Sequence, residues 1–71
     1  MRVLLTDKYD GSLVVAEIST ARYNPDSEKL CFYAGANKFI IPGISEAKAA
    51  EFMTGLYSTG MIDLSEFEAI C

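Results

Sequence analysis

Apolar residues alternate with polar ones through the first forty positions, and then the period lengthens. Arg2-Val3-Leu4-Leu5-Thr6 is a short apolar run closed by the loop signal Asp10-Gly11. Residues 12–23 follow, rich in β-branched side chains, with Val14, Ala16 and Ile18 on one side and Leu13, Val15, Glu17 and Ser19 on the other. Asn24-Pro25-Asp26-Ser27 is a turn, because proline fixes φ and Asx side chains bond back to the backbone. Residues 28–34 alternate again, Leu30 and Phe32 against Cys31 and Tyr33, and after a turn at 35–38 Phe39-Ile40-Ile41 runs into Pro42-Gly43.

Beyond Ser45 the apolar positions Ala49, Phe52, Met53 and Leu56 fall at i, i+3, i+4 and i+7, the stripe of an α-helix. Ser45 is placed to cap it, Glu46 suits the positive end of its dipole, and Gly60 stops it. Gly55, inside the helix, costs roughly 1 kcal/mol relative to alanine, which suggests close packing there.

The pattern therefore predicts a single α+β domain over residues 1–71. Four strands, at about 2–6, 12–23, 28–34 and 38–41, form an antiparallel meander. An amphipathic helix at about 45–59, with its helical residues at about 46–58, packs on one face. Residues 61–71 leave two options. Met61–Leu64 reads as a fifth strand, whereas Ser65-Glu66-Phe67-Glu68 has the capping-box spacing of a helical turn.

One helix cannot cover both sides of such a sheet. The second face would carry Leu13, Val15, Cys31, Tyr33 and Ile40. Either the tail covers it, through Met61, Ile62, Leu64, Phe67 and Ile70, or it is an exposed interface.

Charge refines this picture. The net charge is −4, and the five acids Glu46, Glu51, Asp63, Glu66 and Glu68 oppose only Lys48 after residue 45, while the earlier residues balance. Lysines and arginines form no run, which disfavours direct binding to nucleic acid or to an anionic membrane and favours a basic protein partner. No apolar run approaches the roughly 18 residues of a membrane span, and the start lacks the features of a secretory signal, so the expected location is cytoplasmic. Two free thiols at Cys31 and Cys71 are then the expectation, with a bridge between them the alternative.

Candidate chemistry is thin. The chain has no histidine, which removes the usual catalytic dyads and most zinc sites. Thr6–Glu17 puts glycine and glutamate where an EF-hand loop needs them, but Thr6 and Lys8 occupy ligand positions and the flanks read as strands. Asp63, Ser65 and Glu68 offer oxygens without a glycine to turn a loop. Cys31 reads as an apolar filler within a strand.

No enzyme, cofactor or metal is expected. The expectation is a small protein-binding domain, an inhibitor or regulator of a basic nucleic-acid-handling protein in the style of phage and mobile elements. Its contacts would come from Val15, Tyr33 and Ile40 or from Glu46, Glu51, Asp63, Glu66 and Glu68. A homodimer or other homo-oligomer joined through the second sheet face is the alternative.

Overall fold

A computed structural model describes residues 1–70. Among them lie six strands and one helix, in the order β1 (Arg2–Asp7), β2 (Leu13–Glu17), β3 (Thr20–Asn24), β4 (Lys29–Ala34), β5 (Asn37–Pro42), α1 (Glu46–Thr59) and β6 (Met61–Ala69). The α+β class follows the sequence pattern. The predicted single meander does not. The strands form two three-stranded sheets, β2-β1-β6 and β3-β4-β5.

The division lies inside the long segment predicted as one strand. Ala16 and Ile18 point into the core from even positions, whereas Ala21 and Tyr23 do so from odd ones. One added residue at Ser19-Thr20 therefore reverses the alternation and turns the chain from one sheet to the next. Backbone bonds pin the corner on both sides, with the Ile18 N–H donating to Met1 O (2.7 Å) and the Ser19 N–H to Tyr33 O (2.9 Å).

The second sheet is antiparallel throughout, as the sequence predicts for these strands. The first is mixed, because β1 pairs with β2 antiparallel and with β6 parallel. A parallel partner needs a long crossover, and here everything from β2 through α1 serves as one. The helix returns the chain beside the start of β1, where the Arg2 N–H donates to Gly60 O at 2.8 Å.

The tail is a strand, and the helical turn at 65–68 does not form. Backbone pairing on β1 wins over the capping-box pattern. The pairing is interrupted once: Leu5 faces Leu64 but Thr6 faces Glu68, leaving Ser65, Glu66 and Phe67 as a bulge. Thr6 Oγ1 holds the bulge by donating to Ser65 O (2.6 Å). Phe67 leans from it onto Phe52 of the helix, edge to face, with centroids 5.7 Å apart. Past β6, Ile70 bridges to Ile40 and ties the first sheet to the second.

One apolar cluster fills the space between the sheets and beneath the helix. Val3, Leu5 and Leu64 enter it from the first sheet, Leu30, Phe32 and Ile41 from the second, and Ala49 and Leu56 from α1. Ser45 caps the helix by accepting from the Lys48 N–H (3.3 Å), and Gly60 ends it at φ 76°, donating its N–H to Leu56 O. Gly55 does face β6, yet a Cβ built there would lie 3.5 Å from Ile62 Cγ2, an ordinary contact. The packing at Gly55 thus leaves room for a methyl group.

Candidate functional site

Because each inward face is spent on the core, the chain's surface chemistry lies on the two outward sheet faces and the exposed helix. Strand pairing fixes what each face carries. On the first sheet the outward rows are Glu17–Arg2–Met61, Val15–Leu4–Asp63 and Leu13–Thr6–Glu68. Leu13, Val15, Leu4 and Met61 consequently form a diagonal apolar strip across all three strands. Leu13, Val15 and Met61 are 68%, 66% and 61% exposed.

Carboxylates border this strip. Glu17 stands at one end, 3.5 Å from the N-terminal ammonium and 3.7 Å from Arg2 Nε. Asp63, Glu66 and Glu68 line the other side, exposed along β6. The bulge organises part of this edge. Asp63 Oδ1 accepts from both the hydroxyl and the backbone N–H of Ser65, at 2.6 and 2.9 Å. Those bonds, the hydroxyl first, hold the Asp63 carboxyl below its ordinary pKa.

The outward rows of the second sheet differ in kind. They read Asn24–Lys29–Pro42, Arg22–Cys31–Ile40 and Thr20–Tyr33–Lys38. A cleft of about 320 Å³ opens on this face against Arg22, Asn24, Pro25, Cys31, Tyr33 and Lys38. Lys38 Nζ lies 5.5 Å from the centroid of the Tyr33 ring. Cys31 is a half-buried free thiol in the middle row; Cys71 lies outside the described residues.

The residues singled out in the sequence thus fall on three surfaces. Val15, Asp63 and Glu68 share the outward face of the first sheet, with Glu66 beside them in the bulge. Tyr33 and Ile40 sit on the second sheet, so the single second face expected to join them to Val15 does not form. The two-sheet division separates them. Glu46 and Glu51 are exposed on the helix, Glu51 with its carboxylate 4.0 Å from Lys48 Nζ.

Sequence reasoning missed Leu4 and Met61 in the apolar strip, and the gathering of Arg22, Lys29 and Lys38 on one face. The second signal was present. Arg22, Lys29 and Lys38 all have outward parity once Leu30, Phe32, Phe39 and Ile41 are assigned to the core, but they lie on three strands and leave no run. Among the described residues no group of three or more cysteine, aspartate or glutamate side chains is placed to hold a metal ion. No described helix is long and apolar enough to cross a membrane. Compared with known proteins, the chain matches no protein family, no curated protein and no solved structure.

Proposed function

We propose that this chain is a non-catalytic protein-binding domain that docks through the outward face of its first sheet. The observation that carries the reading is the uncovered apolar strip Leu13–Val15–Leu4–Met61 with carboxylates along its border. Apolar side chains in the middle of a patch supply affinity, and rim charges steer the approach and select a partner of opposite sign. The fitting partner is a protein with an apolar ridge flanked by lysine or arginine, such as an inhibited or regulated nucleic-acid-handling protein. Action in the cytoplasm belongs to the same reading and agrees with the free Cys31 thiol.

The test is capture by the tagged protein from host extract, compared across three variants. Leu13→Ser/Val15→Thr and Asp63→Lys/Glu66→Lys/Glu68→Lys should each abolish capture of the same protein. Glu46→Gln/Glu51→Gln should leave it intact. Capture that survives both sheet variants would remove this face from consideration.

A homo-oligomer is the second reading, and the same strip supports it, since uncovered apolar side chains pair as readily with a second copy. Sedimentation equilibrium separates the two. A dimer that persists in high salt and dissociates on Leu13→Ser/Val15→Thr favours self-association; a wild-type monomer favours an outside partner.

A further inference from the structure

The outward face of the second sheet carries three of the chain's six lysines and arginines and none of its ten acids. Among the described residues, Arg22, Lys29 and Lys38 make no ion pair with a carboxylate. Three cations on nine neighbouring positions, without an ion pair among the described residues, two of them lining a cleft together with Tyr33, form a surface suited to an anion. We propose that this face binds single-stranded nucleic acid, with one base seated in the cleft against Tyr33 and the flanking phosphates held by Arg22, Lys29 and Lys38.

The chemistry of the cleft selects this occupant. An acidic peptide would use the cations but leave the Tyr33 ring and most of the roughly 320 Å³ unfilled. A nucleotide uses all of it: phosphate on the cations, base on the ring, and a base edge on the Asn24 amide. Lys38 already lies over the ring, and exposed cation–π pairs are weak enough to yield one ring face to a base.

The chain's net charge of −4 does not forbid this. Five of its ten acids lie on the helix and on β6, Asp26 and Glu28 stand in the β3–β4 turn beside the cleft, and the molecule measures 28 × 25 × 23 Å. Charge interactions fall off over about 10 Å at 0.1 M salt, so the acids of the first sheet count less at the cleft than Asp26 and Glu28, which temper its positive charge. The expectation drawn from the sequence rested on the lack of a basic run, and pairing three strands assembles one in space.

The experiment uses the full chain with Cys71→Ser, which leaves Cys31 as the lone thiol. Anisotropy of a fluorescent ten-residue oligothymidylate at 50 mM salt reads binding. Expected is saturable binding whose log–log salt slope is about −2, or roughly twentyfold weaker at 200 mM, for three phosphate contacts to a single strand. Arg22→Gln/Lys29→Gln/Lys38→Gln should remove binding while circular dichroism stays unchanged. Tyr33→Leu should weaken it roughly five- to hundredfold and leave the salt slope as it was. Bound oligonucleotide should also slow alkylation of Cys31 by iodoacetamide.

Four results would overturn the proposal. These are no anisotropy change up to millimolar protein, equal or tighter binding of decaglutamate, an unprotected Cys31 at saturation, and a wild-type protein that self-associates at 50 mM salt through the same three cations. The triple glutamine variant leaves the first sheet untouched, so this test is independent of the protein-docking face.

Discussion

Gly55→Ala tests how α1 sits on β6. Glycine within a helix costs about 0.8–1.0 kcal/mol relative to alanine, because the unfolded chain loses more freedom on ordering. Gly55 lies well inside Glu46–Thr59, and its backbone is not in the left-handed region. The added methyl would meet Ile62 Cγ2 at 3.5 Å, ordinary van der Waals contact that needs no movement of β6. Partial burial of that methyl adds a few tenths of a kcal/mol, within the roughly 0.8 kcal/mol of a fully buried group. The sum is a gain of about 1 kcal/mol.

For a domain of this size that raises the midpoint of thermal unfolding by roughly 4–8 °C. Circular dichroism melts and urea titrations of wild type and Gly55→Ala read it directly. Gly55→Val serves as the control, because its two further methyl groups exceed the space and should cost about 1–3 kcal/mol. A melting temperature for Gly55→Ala below that of wild type would show that the helix and β6 lie too close to admit a methyl group.

Four further outcomes are expected. Leu64→Ala, at a fully buried position between β1 and the core, should cost about 2–5 kcal/mol, enough to abolish a cooperative urea transition in so small a domain. Glu28 adopts φ 54° in the β3–β4 turn; Glu28→Asn, better suited to that region, should raise stability by up to about 1 kcal/mol in the same titration. In acid, the carboxyls of Asp63 and Asp10, held below 3.8 by bonds from Ser65 and Ser12, contribute stability that is present above that value and lost as pH falls through their lowered pKa. The urea midpoint should drop there, and less steeply in Ser65→Ala. In alkali, Tyr23, whose hydroxyl donates to Ile44 O, is pushed above 10.0 by burial and then by Glu28 and Glu46. Its contribution is complete below pH 10 and lost as pH rises through the raised value, and Tyr23→Phe should remove that alkaline decline.

Local signals in the chain were strong where the physics is local. Ser45, the Ala49–Leu56 stripe and Gly60 define the helix because a cap, a period and a left-handed stop act within a few residues. The inward sets Leu30/Phe32 and Phe39/Ile41 follow from the two-residue period of a strand. What escaped was long-range. The corner at Ser19-Thr20 depends on a parity change that the partners of its flanking backbone, Met1 and Tyr33, hold in place. The parallel pairing of β6 with β1 joins segments at opposite ends of the chain. Both outward faces depend on those two events, so Val15 and Asp63 could be named singly but not brought together with Leu4, and Arg22, Lys29 and Lys38 gave no local signal at all.

The separation of the two outward faces is the feature on which both functional readings depend, and an isotope-edited NOESY spectrum of the labelled protein reports it most directly. Expected are interstrand contacts in the parallel sense between β1 and β6 at Leu5 and Leu64, a contact between Ile40 and Ile70, and none between the methyl groups of Leu13 or Val15 and the Tyr33 ring. Cross-peaks from Val15 to Tyr33, with antiparallel contacts or none between β1 and β6, would restore a single continuous sheet and contradict the division of its surface into two separate outward faces.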